Sequence, residues 1–306
     1  MINQNLLAIL KCIKCENGDI FVSEKGDELI CTSCKQTYSV SNQIPLLLQN
    51  NSEHNLVESE IHKKQGTSFN YIDHYQKDAI NFDYFEKRDR GTEHGERRVR
   101  EYILSQVSQN VKTILDVGCG KAWVAEMFCP KNIEVTSMDI ALTNVVKALE
   151  KYPFDNHSGV VADVFSLPFK ENSFDCIIAS EIIEHVVNPD IFVKNLIQIL
   201  KPNGELIVTT PYKEKLDYSL CIHCNKATPR HAHIHSFDEN ILKNLYDNKN
   251  AESFEYKTFG NKVLIHLRTH VFLGFMHFKI WNAIDKIANW IYKAPSTILV
   301  KWGKHN

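Results

Sequence analysis

The sequence predicts an α/β fold: a mostly parallel seven-stranded sheet with helices on both faces, carrying a small β-rich module at its N-terminus. Three observations lead there. From about residue 96 short β-branched runs alternate with helical patterns, the mark of parallel strands joined by helical crossovers. An apolar run at 113–117 turns through Gly118-Cys119-Gly120 directly into an amphipathic segment. Residues 1–50 hold four cysteines among several short β-like runs, too few residues to fold on hydrophobic burial alone.

Length and composition bound the rest. A chain of 306 residues has room for one substantial domain and a satellite, and 43% hydrophobic with 24% charged residues is ordinary for a soluble globular protein. Lys plus Arg total 35 against 37 for Asp plus Glu, so no global positive field collects nucleic acid or anionic lipid. The opening MINQNLLAILKC has only Leu6 to Leu10 as an apolar stretch and no basic segment ahead of it, too short for a signal peptide. A cytoplasmic protein is therefore expected. Nine cysteines in a reducing compartment then point, where they pair as C-x-x-C, to metal ligation before disulfides. The apolar-rich stretch 270–292 is broken by Lys279, Asp285 and Lys286 and falls short of the ~20 uninterrupted residues of a membrane span.

The chain divides into a module at 1–50, with turn pairs Asn17-Gly18 and Lys25-Gly26, a linker and helical cap at 51–95, and a main domain at 96–306 with a helical insertion at about 261–294. The cap carries the aromatics Phe69, Tyr71, Tyr75, Phe82, Tyr84 and Phe85. Strands are expected at 113–117, 133–139, 159–162, 175–179, 205–210, 253–258 and 297–301. Between the fourth and fifth, Asn188 reads as a helix N-cap and Pro189 as the first helical residue, with Ile191, Leu196, Ile199 and Leu200 inward and Lys201-Pro202-Asn203-Gly204 as the stop.

The sharpest motif is ILDVGCGKAW at 114–123. Glycines at this bend let the backbone approach a ligand, and the helix that follows offers unpaired N–H groups. A nicotinamide fingerprint would have Gly or Ala as its sixth residue counted from Gly118, where this chain has Trp123. What remains is three acids at successive strand ends: Asp116, Asp139 and Asp163. They lie on the edge where open α/β sheets bind ligands. Asp139 is placed for both ribose hydroxyls and Asp163 for an adenine amino group; the competing explanation is that each caps its own helix.

ILDVGCG, VTSMDI, VVADVFSLPFKENSFDCIIASEIIEHV and ILKPNGELIVTTP follow in this order, and residues 96–260 resemble the class I methyltransferases of the methyltransferase domain 11 type. The resemblance implies a Rossmann-like fold and S-adenosylmethionine as cofactor. It implies that Asp116, Gly118, Cys119 and Gly120 surround the methionine part, that Asp139 with Ile140 holds the ribose, and that Asp163 with the Val164 backbone holds the adenine. The family often has glycine where this chain has Ala122. Such an enzyme must align a nucleophile with the methyl carbon, exclude water and, where needed, remove a proton. Near the transfer point stand Glu181, Glu184 and His185 in SEIIEHV. His185 is the expected general base, and Glu181 is expected both against the cofactor and in catalysis. Alternatively the Glu-His pair only ties down its loop.

Cys12-x2-Cys15 and Cys31-x2-Cys34, fifteen residues apart, have four-thiolate zinc spacing. Their surroundings resemble the zinc-ribbon family of small tRNA-methyltransferase activators, with Gln43 where that family's turn usually has glycine. The module is expected to be structural and independent of the nucleotide site. A second cluster, CIHCNKATPRHAHIHSF at 221–237, offers Cys221 and Cys224 with one or two of His231, His233 and His235 as ligands, His233 and His235 foremost, and His223 stands nearby. The alternative is a polar loop with chance histidines.

The expected acceptor is a small molecule, a glycan or a lipid-linked intermediate. An RNA methyltransferase and a non-catalytic binding or activator protein are the alternatives, and the balanced charge counts against RNA. In the insertion, Phe275, Phe278, Ile284, Ile287 and Ile291 share a face at helical spacing, with Trp281 and Trp290 near it. Core packing is the favoured explanation of that face, ahead of contact with a membrane surface.

Overall fold

The computed structural model describes residues 2–16, 18–48, 56–57, 69–246 and 251–305. Of the sequence expectations, Asn17 in its turn pair and most of the linker, 49–55 and 58–68, lie outside the described residues. The strands are β1 (Ile20–Val22), β2 (Glu28–Cys31), β3 (Thr37–Ser41), β4 (Ile44–Leu47), β5 (Leu56–Val57), β6 (Phe69–Asn70), β7 (Thr113–Val117), β8 (Glu134–Asp139), β9 (His157–Ala162), β10 (Phe174–Ser180), β11 (Leu200–Pro211), β12 (Tyr218–Leu220), β13 (Ala227–Pro229), β14 (Ala251–Asn261) and β15 (Pro295–Lys304).

Strands β9, β8, β7, β10 and β11 run parallel in that spatial order. Their residues are buried on both sheet faces, as helix-covered parallel strands must be. Antiparallel β15 follows β11, and β14 closes the edge beyond it. These are the seven expected strands, most of them longer than the sequence pattern marks. Asn261 pairs with Pro295, and Thr297 with Pro211, so the insertion between β14 and β15 emerges at the edge where the parallel strands end.

The N-terminal module does not stand apart. Its strands β1 to β4 pair antiparallel in sequence order, with Gly26 at φ +76° turning β1 into β2. Then β4 adds to β9 in parallel, Leu46 opposite Val161 and Leu47 opposite Ala162, which makes one sheet of eleven strands. Leu6, Leu10 and Leu29 of the module share a core with Leu115, Phe169 and Phe174. Backbone bonds from Lys11 N–H to Pro168 O and from Lys170 N–H to Ile9 O, both 2.8 Å, stitch the two together. The module's few strands thus bury apolar side chains in a core shared with the larger sheet.

The helix Pro189–Ile199 begins after Asn188, whose side chain makes no capping bond. Its buried stripe is Phe192, Val193, Leu196, Ile197 and Ile199, whereas Ile191, expected inward, faces solvent. At 100° per residue Ile191 falls off the stripe that Phe192 and Leu196 define. The helix stops at Leu200, one residue before Lys201-Pro202-Asn203-Gly204, which runs in β11. In the cap, the helix Tyr71–Asn81 is capped by Asn70 and the helix Arg90–Leu104 by Asp89, each side chain accepting backbone N–H bonds. Among the described residues no helix is long and apolar enough to cross a membrane.

Leu10 is fully buried at the seam of module and sheet. Leu10→Ala should cost about 2–5 kcal/mol and lower a single denaturant transition monitored by circular dichroism; a separate early transition of residues 2–48 would contradict the shared core.

Candidate active site

Strand β7 delivers Asp116, and the chain then turns through Gly118 at φ +64° and Gly120 at φ +46°, backbone that side chains other than hydrogen rarely adopt. A Cβ on Gly118 would also lie 2.3 Å from Ile182 Cδ1. Cys119 N–H donates to Met138 O at 3.0 Å, tying the loop to β8. Ala122, just ahead of the helix Trp123–Phe128, sits in the left-handed region at φ +51°. The family's preference for glycine at this position follows from that conformation, which costs an alanine roughly 1 kcal/mol.

Asp116, Asp139 and Asp163 stand at the ends of β7, β8 and β9 and are each under a tenth exposed. Asp139 accepts N–H bonds from Ala141 at 2.9 Å, Asn144 Nδ2 at 3.2 Å and Gly120 at 3.3 Å. Burial nonetheless raises its carboxyl above the usual range. Asp163 accepts from Phe165 N–H at 3.0 Å and from the Tyr71 hydroxyl of the cap, and burial raises it too. Asp116 is held well above the usual range by burial and then by the charge of Asp139. Its Oδ2 is buried without a protein partner, an acceptor that calls for a cationic donor from a ligand.

These acids border one cavity of about 1480 Å³, which Ile140, Val164, Glu181 and His185 also line. It runs beneath Tyr71, Tyr75 and Tyr84 of the cap, past the β12–β13 hairpin, to Leu264, Arg268 and Trp281 of the insertion. A single small ligand fills ~300–1,000 Å³, so a cofactor and an acceptor fit together.

Past β10 the chain carries Glu181 in the left-handed region at φ +57°. Burial pushes its carboxyl up to about 7, and its Oε1 lacks a protein partner. Glu184 is buried, raised by burial and then by Glu181, and accepts from Thr210 Oγ1 at 3.0 Å. His185 Nδ1 faces Ala232 O at 3.3 Å; a carbonyl only accepts, so Nδ1 carries the hydrogen and Nε2 is the basic nitrogen. Burial, then the neighbouring His233, pushes this imidazole down to about 4. His233 Nδ1 in turn lies 2.6 Å from Glu214 Oε2.

Two groups among the described residues bring at least three ligand atoms within 4.8 Å of one another: Cys12, Cys15, Cys31 and Cys34, and Glu184, His185 and His233. In the first, Cys12 Sγ lies 3.6 Å from Cys34 Sγ and Cys15 Sγ 3.6 Å from Cys31 Sγ, close to the about 3.8 Å that tetrahedral Zn–S bonds of ~2.3 Å impose. A Cβ on Gly18 would fall 2.3 Å from Cys31 Sγ, so only glycine fits beside the sulfurs. The expected second cluster is not assembled. Ile234 and His235 donate their N–H groups to Glu184 O at 2.9 and 3.3 Å, pinning that segment to the turn after β10, while Cys221 and Cys224 ride at the tip of the β12–β13 hairpin. His233 joins Glu184 and His185 instead, and His235 stays half-buried away from the cysteines' group.

Sequence reasoning missed Tyr71, Glu214 and the second use of His233. The aromatic run at 69–85 signalled a cap, but nothing in it singled out Tyr71 as the residue that meets Asp163.

Residues 115–208 match the family model described as a methyltransferase domain. The ubiquinone biosynthesis O-methyltransferase of Rickettsia canadensis is 31% identical over 176 residues, which cover 54% of this chain and 70% of that protein. The mitochondrial ubiquinone biosynthesis O-methyltransferase of Rattus norvegicus is 36% identical over 115 residues, 36% of this chain and 33% of its own. The chain spans about half the length of other such relatives, 49% in Rickettsia prowazekii and 52% in Rickettsia felis. A solved complex of the Haloferax volcanii Trm112 methyltransferase activator with a methyltransferase aligns at TM-score 0.50 and 17% identity, over 71% of this chain and 93% of that one, a likeness of fold. The chain belongs to the class I S-adenosylmethionine-dependent methyltransferases.

The unpaired Asp116 carries a stability signature. A carboxyl with a higher pKa in the fold than unfolded keeps its proton over a pH range where the unfolded chain has lost it, so the fold gains as pH falls and loses as pH rises. Without ligand, Asp116→Asn should raise the thermal midpoint at pH 8 and lose most of that gain at pH 5. An equal shift at both pH values would contradict a costly buried carboxylate.

Proposed function

We propose that this enzyme is an O-methyltransferase whose acceptor is a hydroxyl on an apolar, lipid-linked small molecule met at a membrane surface. The observation that carries the reading is the insertion. Trp281 and Asp285 are its buried residues, while Phe275 is 81% and Trp290 86% exposed, with Leu267, Phe272 and Ile291 exposed beside them. The expected core packing holds for Trp281, buried in the core, and for Phe278, packed against it; Phe275, Ile287 and Ile291 are exposed instead, and Asp285 turns inward to accept the N–H groups of Gly260 at 3.1 Å and Asn261 at 2.7 Å. Lys262, Arg268, Lys279, Lys286 and Lys293 accompany this apolar surface, and its one acid, Asp285, is buried. Exposed apolar side chains with exposed cations among them in sequence suit an anionic lipid surface, and Leu264 and Arg268 also line the cavity. The names of the relatives, which concern a quinone of lipid character, agree with this acceptor class.

The cofactor fits the residues present, since the partnerless Asp116 Oδ2 suits an ammonium group. When bound, S-adenosylmethionine supplies an electrophilic methyl carbon. Asp116 with the backbone of Gly118, Cys119 and Gly120 would hold its amino-acid end, Asp139 with Ile140 its ribose, and Asp163 with Val164 its adenine. Glu181, which lines the same cavity, would face the acceptor. The cap aromatics exclude water from the transfer point. Proton removal from the acceptor hydroxyl falls to Glu181, whose affinity for a proton near neutrality suits a base better than that of His185; His185 orients the hydroxyl through Nε2.

A second reading of the same cluster rests on the convergence of Glu184, His185 and His233. A divalent cation held there would polarise the hydroxyl and ease its deprotonation. The four N-terminal cysteines are proposed to hold a structural zinc ion.

The acceptor assay uses labelled cofactor and two catechols, one with a long isoprenoid tail in anionic vesicles and one without a tail in buffer. Methylation of the tailed catechol should proceed with kcat/KM at least tenfold higher. Phe275→Ser with Trp290→Ser should erase that advantage and leave the tailless rate alone. Equal rates on both acceptors, or none on either, would contradict the reading, and loss of activity in EDTA restored by a divalent cation would select the cation over Glu181 as the source of activation.

A further inference from the structure

Three C-x-x-C segments of this chain share one pattern of backbone bonds about the first cysteine, the first loop closing one residue later than the other two. In the first, Cys12 N–H donates to Gly18 O at 2.9 Å and Glu16 N–H to Cys12 O at 2.9 Å, with Glu16 at φ +60°. In the second, Cys31 N–H donates to Gln36 O at 2.9 Å and Lys35 N–H to Cys31 O at 3.2 Å, with Lys35 at φ +60°. In the third, Cys221 N–H donates to Lys226 O at 2.9 Å and Asn225 N–H to Cys221 O at 2.9 Å, with Asn225 at φ +53°. In all three, backbone N–H groups of the second and third following residues point at the first sulfur: those of Lys14 and Cys15, Ser33 and Cys34, and His223 and Cys224. This loop presents two thiolates on one side and supports them with N–H dipoles.

The first two loops face each other and complete a four-sulfur group. Cys221 and Cys224 have no such partner: among the described residues they belong to no group of three or more converging ligand atoms. Their hairpin is also poorly supported by its own packing. No residue from 218 to 229 is buried, Leu220 is 67% exposed and Ile222 is fully exposed. A two-stranded hairpin of this kind is marginal in water.

We propose that Cys221 and Cys224 form half of a four-thiolate zinc site that a second copy of this chain completes, so that two chains share one ion. Two-fold symmetry sets each loop against its own copy, and two thiolates from each chain make the saturated tetrahedral set that the N-terminal cysteines make within one chain. Loading the ion takes one proton from each thiol still protonated, with no change of oxidation state. Leu220 and Ile222 of both copies flank the ion and lose their exposure to water. Because Cys224 also borders the cavity, the shared ion would lie beside its mouth.

The test is zinc content together with mass in solution. Full-length protein grown and purified with zinc should carry about 1.5 zinc per chain and run as a dimer by light scattering: one ion in each N-terminal module and one between chains. Cys221→Ser with Cys224→Ser should fall to about 1 zinc per chain and to a monomer. Cobalt substitution should give four-thiolate charge-transfer bands, about a third of which the double variant loses. Ile222→Asp keeps both thiols and should weaken the dimer and lower zinc content together, which carries the test if the double variant misfolds. About 2 zinc per chain in a monomer would overturn the shared site, whether the second ion sits on the loop cysteines or on Glu184, His185 and His233. About 1 zinc per chain in the unaltered protein, or a dimer that survives both variants, would also overturn it.

Discussion

Three acidic side chains buried beside one cavity at the ends of adjacent parallel strands govern this structure. Asp116, Asp139 and Asp163 are each under a tenth exposed, and removing a carboxylate from water is costly unless something pairs with it. The protein answers in part. Asp139 draws N–H groups from Gly120, Ala141 and Asn144, and Asp163 draws the Tyr71 hydroxyl, while Asp116 keeps an oxygen with no protein partner. A fold selected for stability alone would not leave that oxygen bare; a fold that binds a cationic, hydroxyl-bearing ligand there would.

Much of the architecture serves to line these acids up and cover them. Parallel pairing of β9, β8 and β7 sets their ends side by side, and the positive φ of Gly118 and Gly120 bends the chain away to leave space above them. The aromatic cap supplies the roof. The N-terminal module reaches the same site from the side, since β4 lies along β9 with Leu47 opposite Ala162, next to Asp163. A cysteine-rich module thus buttresses the strand that carries one of the three acids.

Local signals in the sequence located what depends on local signals. The strands of the main sheet follow from continuous β-branched runs, and the glycine loop from glycines where positive φ is needed. The partners that meet across long sequence distances were not legible. Tyr71 meets Asp163 from 92 positions away, and no local pattern marks that pairing. The insertion was legible only in part: Trp281 and Phe278 pack on the core, but Asp285 shares the inward face by accepting the N–H groups of Gly260 and Asn261, which leaves Phe275, Ile287 and Ile291 exposed. The cysteines at 221 and 224 were expected to share a metal site with histidines close in sequence, and these do not converge with them among the described residues. A hairpin carries the sulfurs outward while Glu184 holds the histidine segment down.

The central claim is that the buried acids bind an adenosyl cofactor through both its cationic end and its ribose. Calorimetric titration tests it most directly, with S-adenosylhomocysteine and NAD as ligands for the unaltered chain and for Asp139→Ala. The account predicts stoichiometric binding of S-adenosylhomocysteine, no heat from NAD, and affinity for S-adenosylhomocysteine weakened by about 1–3 kcal/mol in the variant through loss of charge-assisted hydrogen bonds. Folded protein that binds no S-adenosylhomocysteine, or binds it equally well without the Asp139 carboxylate, would contradict it.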